Sequence, residues 1–118
     1  MESILTSIKK LLGIGEEYTS FDTDIIIHIN SVFMILNQLG VGVEGFAIAD
    51  KNNVWTEFMP DETMIESVKS YVYLKVRLIF DPPQSSAVIA SMERMITELE
   101  CRINVWVENK NWEENQNG

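Results

Sequence analysis

The chain has 118 residues, 46% of them hydrophobic and 23% charged, which is typical of one globular domain with a single core. Its formal charge is −9, and its nine Lys and Arg residues are spread along the sequence without a cluster. Tight nucleic-acid binding requires clustered cations that displace counterions from phosphates, so we expect none here. No apolar run approaches the ~20 residues of a membrane-spanning helix, and we expect no signal peptide.

Four segments with apolar residues at helical spacing predict an all-α fold. The predicted helices cover residues 3–12, 22–39, 62–80 and 86–110, and the first three are followed by the helix-ending signals Gly13, Gly40 and Asp81-Pro82-Pro83. We therefore expect a single four-helix domain in residues 1–110. The polar end of the chain predicts a flexible tail in residues 111–118.

The segment between the second and third helices has a different pattern. Phe46-Ala47-Ile48-Ala49 and Val54-Trp55 flank the turn-forming residues 50–53. Short apolar runs on either side of a turn are typical of paired strands. We predict a short β-hairpin or an extended arm here, with any sheet confined to residues 43–58.

The stretch Gly40-Val41-Gly42-Val43-Glu44-Gly45 matches the dinucleotide-binding pattern G-x-G-x-x-G. That pattern binds a pyrophosphate when a strand precedes it and a helix begins on it. Here a predicted helix precedes it and an extended stretch follows. The glycines are therefore interpreted as a helix exit, and no cofactor site is predicted.

The remaining candidates for chemistry lack partners. Asp22 and Asp24 could bind Mg²⁺, but their position at a helix start favours capping and interaction with the helix dipole. His28 follows Asp24 by one turn, so we expect it to be half-buried and bonded to that carboxylate. One His and one Cys, Cys101, are too few for a zinc site and indicate no nucleophile–base pair. We predict no catalytic residue, no metal site and no enzyme activity, and a lone cysteine favours a reducing cytoplasm.

The third predicted helix is apolar on two sides. One stripe is sufficient for the domain core and consists of Ile65, Val68, Val72, Val76 and Ile79. A second stripe lies roughly opposite, at i, i+3 and i+7, and consists of Tyr71, Leu74 and Leu78. Such a helix is either enclosed by its own domain or shared with another subunit, and the pattern supports both. Tyr71, Leu74 and Leu78 are thus candidate residues of a subunit interface.

The fourth predicted helix carries a weaker second stripe. Its core stripe consists of Val88, Met92, Met95, Ile96, Leu99, Ile103 and Trp106. Cys101, Val105 and Trp112 fall together on another side of the helix. A Trp near a polar terminus is a candidate anchor for a partner, although an isolated exposed aromatic residue requires no functional explanation. Val105, Trp106 and Trp112 are the candidate residues for binding a partner.

Several stretches also match a known family in their order along the chain. They are Phe21-Asp-Thr-Asp-Ile-Ile-Ile-His-Ile-Asn30, Leu39-Gly-Val-Gly42, the pair Trp55 and Phe58, and Tyr71-Val-Tyr-Leu-Lys-Val-Arg-Leu-Ile-Phe-Asp-Pro-Pro83. Together they resemble the phage head–tail connector family, the adaptor proteins of tailed phages that infect Gram-positive bacteria, often labelled DNA-packaging proteins. The resemblance extends over nearly the whole chain and ends before the tail.

The resemblance implies a helical structural adaptor without catalytic activity. Such adaptors form an oligomeric ring, of about a dozen copies, that docks beneath the portal protein after DNA packaging and extends the channel toward the tail. It implies a location in the virion neck, after synthesis in the host cytoplasm, with a downstream head-completion or tail protein as a further partner. The C-terminal extension, including Trp112, is then the candidate for reaching the portal. An acidic surface suits a channel through which DNA slides.

A regulatory DNA-packaging module similar to a small terminase is the competing interpretation. Such a module should carry a basic recognition helix, which the scattered Lys and Arg residues do not provide. A small enzyme is a third interpretation, and it would need a catalytic constellation that the sequence does not contain.

Overall fold

The computed structural model describes residues 2–117, and that part of the chain is mostly helical. Its helices are α1 (Ile4–Leu11), α2 (Asp22–Gln38), α3 (Trp55–Phe58), α4 (Ile65–Phe80) and α5 (Ser86–Asn117), with a 3-10 turn at Glu62–Met64 before α4. The predicted all-α class is confirmed. The predicted number of helices was too low by one in residues 2–117, because α3 forms a single helical turn. α5 also continues past residue 110, so residues 111–117 extend that helix.

α4 is the central helix of the domain. α2 and α5 both pack against α4, and α1 contacts α2 and α4. This position explains the two apolar sides of α4, because Val68 and Val76 on one stripe are buried together with Tyr71 and Leu74 on the other. Apolar burial stabilises the fold by about 25 cal/mol per Å², so a helix buried on two sides contributes strongly. The last turn differs, since Ile79 is exposed instead of contributing to the predicted core stripe.

The predicted β-hairpin is absent from residues 2–117. The β pairing found there is an isolated bridge between Ser3 and Val54. The side chain of Asn30 on α2 instead bonds the backbone of the segment, accepting from Ile48 N–H at 2.8 Å and donating to Ile48 O at 3.0 Å. These two bonds use the groups that a strand partner would need, and they hold the segment against α2.

α3 places two aromatic side chains in the core. Trp55 and Phe58 are both fully buried. The indole Nε1 of Trp55 donates to Ser7 Oγ at 2.9 Å, which satisfies a group that would be costly to bury alone. Phe58 stacks on Phe33 of α2, with 4.1 Å between ring centroids and 17° between ring planes. α3 therefore connects α1 to α2 across the core.

The glycines after α2 have structural roles. Gly40 has a φ of +89°, the left-handed conformation that ends helices, and this confirms the predicted helix exit. Gly42 has a φ of +82°, and a Cβ at this position would overlap the ring of Phe58. Close approach to the aromatic core explains why glycine is needed at Gly42.

The N-terminus of α2 differs in detail from the prediction. Asp22 is the first residue of the helix, and no side-chain hydrogen bond caps this end. The Asp22 carboxylate instead pairs with Lys9 of α1, with 2.8 Å between Oδ1 and Nζ. Asp22 and Asp24 both lie in the first turn, where negative charge interacts favourably with the helix dipole.

Candidate interaction surfaces

The only histidine and the only cysteine of the sequence, His28 and Cys101, lie on different helices. His28 of α2 is half-buried, as predicted, and its ring centroid lies 6.4 Å from that of Phe80. Within residues 2–117, His28 makes no hydrogen bond to Asp24, in contrast to the prediction. The imidazole lies instead beside the ring of Phe80. Cys101 is exposed on α5. No group of three or more His, Cys, Asp or Glu side chains in the described part of the chain could hold a metal ion.

Tyr71 and Leu74 are covered within the protomer, which is the first of the two alternatives that the sequence left open. Burial and then the neighbouring Glu100 carboxylate of α5 raise the pKa of Tyr71 to about 12. Tyr71 therefore faces α5, and the second apolar stripe of α4 is the side on which α5 packs. Leu78, the third residue of that stripe, is half-buried.

Leu78 borders an open groove between α4 and α5. The groove is lined by Lys75, Leu78, Ile79, Glu93, Ile96 and Thr97. Its floor is mainly aliphatic, and the exposed Ile79 lies at its edge. Lys75 takes part in none of the ion pairs formed within residues 2–117. The groove therefore offers apolar surface to a partner, with Lys75, whose Nζ lies 5.9 Å from the Tyr71 ring centroid, and Glu93 in its lining.

The C-terminal half of α5 is attached to the domain near Lys110. A Cβ on Gly40 would lie 3.1 Å from Val107 Cγ1, so the two residues are in close contact. Lys110 forms an ion pair with Asp61, and its hydrogen bond is the main reason that the pKa of Asp61 lies below its ordinary value. The Lys110 Nζ also lies 5.5 Å from the ring centroid of Trp106. These contacts join α5 to the loop after α2 and to the segment before α4.

Beyond Lys110, the side chains of α5 are exposed as far as residue 116, although Asn111 and Glu114 still border a hollow with Gly40 and Asp61. Trp112 has 64% of its surface exposed. Val105 and Cys101 are exposed as well, as the predicted second stripe of this helix requires. Of the three predicted partner-binding residues, Val105 and Trp112 are available on the protomer surface and Trp106 is half-buried beside Lys110.

A further apolar patch joins two stretches that are distant in sequence. Phe21 lies between Tyr18 and Phe80, with ring centroids 5.6 Å and 5.3 Å away. Tyr18 and Phe21 are exposed, and the patch opens beside His28. Sequence reasoning missed this patch, because Tyr18 and Phe21 precede α2 and follow no helical periodicity. The sequence did contain a signal for the patch, namely aromatic residues just before α2 and at the end of α4.

No helix within residues 2–117 is both long and apolar enough to cross a membrane.

Comparison with known proteins gives one match. Residues 4–110 match the family model described as phage connector protein. No curated protein and no solved structure matches the chain. The matched range includes α1 to α4 and α5 as far as Lys110.

Proposed function

This chain belongs to the phage connector protein family, a family of structural proteins, and we propose that it acts as one subunit of a ring in the virion neck. Membership implies interaction with the portal and other virion proteins. In our proposal the ring, of about a dozen copies, docks under the portal protein and extends the DNA channel toward a head-completion or tail protein. The observation that carries the proposal is the family match over residues 4–110, which includes α1 to α4 and most of α5.

The end of α5 is the proposed portal-binding element. Val105 and Trp112 present apolar surface on the part of the helix that extends to and beyond its attachment to the domain. Large aromatic residues commonly dominate the binding free energy of protein interfaces. Trp106 lies under the Lys110 ammonium and lines the inner side of this surface. A partner that covers Trp112 would therefore also contact residues held firmly by the domain.

Leu78 is the proposed subunit contact on α4. It lies in the groove between α4 and α5, where Ile79 and Ile96 add apolar surface. Tyr71 and Leu74, which the sequence predicts together with Leu78, are covered by the protomer and would support this groove from below. A neighbouring subunit would thus reach the second stripe of α4 at its C-terminal end.

The charge of the chain is compatible with a DNA channel. Within residues 2–117, five cations lie within 4 Å of a carboxylate: Lys9, Lys69, Arg77, Arg102 and Lys110. The protein carries 18 acidic side chains against nine basic ones, so its surface repels phosphates on balance. DNA can slide past such a surface without adhering to it.

The test uses phage heads that carry the portal protein but lack this chain. Added wild-type protein should form a ring below the portal, visible by electron cryo-microscopy, and should restore tail attachment. Trp112→Ala should weaken docking about tenfold or more, because aromatic anchors commonly contribute ~2 kcal/mol. Val88→Ala, which alters another exposed apolar residue of α5, is the matched control and should dock normally. Failure of the wild-type protein to occupy the neck would refute the proposal.

A further inference from the structure

Beyond the exposed Asp24 in its first turn, the solvent-facing side of α2 carries no carboxylate and no Lys or Arg side chain. Between Asp24 and Glu44 the chain has no Asp, Glu, Lys or Arg, although 23% of its residues are charged. Ile27 and Met34 lie two turns apart on one face, and their side chains are 56% and 65% exposed. The exposed face of a helix in a globular protein normally carries charged residues. The composition of this face therefore indicates a surface that another protein covers.

Three polar side chains on and beside this face, those of Asn30, Ser31 and Asn37, already have hydrogen-bond partners within the chain. Ser31 Oγ donates to Ile27 O at 3.0 Å. The side-chain amides of Asn30 and Asn37 bond the backbone of residues 41–48. A partner that displaced water from this face would leave these groups satisfied. For these three side chains the desolvation cost, which is the main penalty for covering a polar surface, is therefore small.

We propose that the face of α2 defined by Ile27, Ser31 and Met34 packs against a neighbouring copy of this chain. The inference rests on the proposed ring, in which identical copies meet. Each copy has a formal charge of −9, so copies repel each other wherever acidic surfaces approach. α2 exposes Asp24 in its first turn, but none of its residues from Ile25 to Gln38 is Asp, Glu, Lys or Arg. The part of this face beyond Asp24 is therefore a helical surface that adds no carboxylate to a contact between two acidic copies.

The arrangement of the helices suits a head-to-tail contact. A closed ring repeats a heterologous interface, in which one surface of each copy meets a different surface of the next. α2 and α5 both flank α4, and the exposed face of α2 lies on the side opposite its buried residues, such as Ile29 and Leu36. The groove beside Leu78, on the α4–α5 side, is the candidate for the other half of the contact.

The first experiment changes the charge of this face. Ile27→Glu/Met34→Glu places two carboxylates on α2 at positions seven residues apart. Val88→Glu/Met95→Glu makes the same change at the same spacing on α5, where the native side chains are 47% and 51% exposed. On portal-bearing heads, the α2 variant should reduce the number of bound copies at least tenfold, whereas the α5 control should stay within twofold of wild type. Equal occupancy for wild type and the α2 variant would overturn the inference and leave the ring itself intact.

The second experiment identifies the neighbour and does not depend on an assembly defect. A photo-crosslinking benzophenone residue replaces Met34 in the full chain, which is then bound to portal-bearing heads and irradiated. The expected product has twice the mass of one 13.5 kDa chain and contains two copies of it. The same residue at position 88 is the control and should give no such product. Crosslinking to another virion protein would refute the inference, and so would the absence of any crosslink when the protein is bound at the neck. If wild-type protein does not bind at the neck at all, the proposed function itself is refuted.

Discussion

The Nζ atom of Lys9 lies 2.8 Å from Asp22 Oδ1 and links the end of α1 to the start of α2. Only 2% of Lys9 is exposed. The same nitrogen donates to the carbonyl oxygens of Glu16 and Tyr18, at 3.1 Å and 2.7 Å. The buried ammonium group thus has two hydrogen-bond acceptors and one carboxylate of opposite charge beside it. Lys9 therefore orders the connection between two helices.

Lys9→Met should lower the free energy of unfolding by about 2–3 kcal/mol, because it leaves the Asp22 carboxylate without its cation and two carbonyl oxygens without their donor. Lys10→Met removes the same charge one residue later, at an exposed position, and should change stability by less than about 0.5 kcal/mol. Denaturation by urea measures both. Equal losses in the two variants would show that the buried ion pair has no particular importance.

Gly42→Ala should destabilise the protein more than Gly45→Ala. Both glycines have a left-handed backbone, with φ of +82° and +76°, so alanine costs about 1 kcal/mol at either position. At Gly42 the added Cβ also overlaps the Phe58 ring, whereas at Gly45 it meets open space. Overpacking of this kind costs a further ~1–3 kcal/mol. Thermal denaturation of the two variants compares them directly, and identical melting temperatures would contradict the packing argument.

The main helices could be predicted from the sequence because their signals are local. Apolar spacing defines α2 and α4, and Gly40 and Pro82 mark where each must end. α3 was missed because a short apolar run such as Val54-Trp55 suits a strand or a buried helical turn equally well. The burial of Lys9 was missed for another reason. A lysine in the last turn of a helix suits the helix dipole, and the acceptors that bury it come from a loop whose path the sequence does not define.

The candidate surfaces were predicted less completely. Periodicity identified the two apolar sides of α4, but it cannot say which protein covers Tyr71 and Leu74. The predicted core stripe of the fourth helix ends at Trp106, and Trp112, which lies outside that stripe, is exposed. The polar composition after Trp112 predicted a flexible tail, whereas the structure continues α5 to Asn117, and whether that end moves in solution stays a prediction. The uncharged face of α2 became apparent only once the structure showed that Ile27 and Met34 are exposed.

The ion pair between Asp61 and Lys110 should weaken in acid. Because pairing lowers the pKa of Asp61, the pair stabilises the folded state above the ordinary Asp pKa of 3.8, and this contribution is lost as the pH falls through the lowered value. At neutral pH, Asp61→Asn should mimic that loss and speed amide hydrogen exchange around residues 107–112. Glu44→Gln removes an exposed carboxylate elsewhere and is the control. Unchanged exchange in Asp61→Asn would mean that Val107 and Trp106 hold α5 without the ion pair.

Duplex DNA should bind weakly to the isolated protein. The cations outside the ion pairs of residues 2–117 are Lys10, Lys51, Lys75 and Arg94, and they belong to four different segments. Scattered cations on an acidic protein release few counterions, so we expect a dissociation constant no tighter than the non-specific range of about 1–100 μM at physiological salt. Fluorescence anisotropy with a labelled duplex measures this. Sub-micromolar binding would contradict the expectation and favour a regulatory DNA-packaging module.

Trp112 should report portal docking through its fluorescence. The three tryptophans differ in environment, since Trp55 is fully buried, Trp106 is half-buried and Trp112 is 64% exposed. With Trp55 and Trp106 replaced by Phe, the remaining indole should emit at long wavelength and be quenched readily by acrylamide, because water surrounds it. Binding to a portal ring should shift that emission to shorter wavelength and reduce quenching, as burial in an interface removes the water. An unchanged Trp112 signal in a preparation where docking is visible by electron microscopy would place the portal contact elsewhere on the molecule.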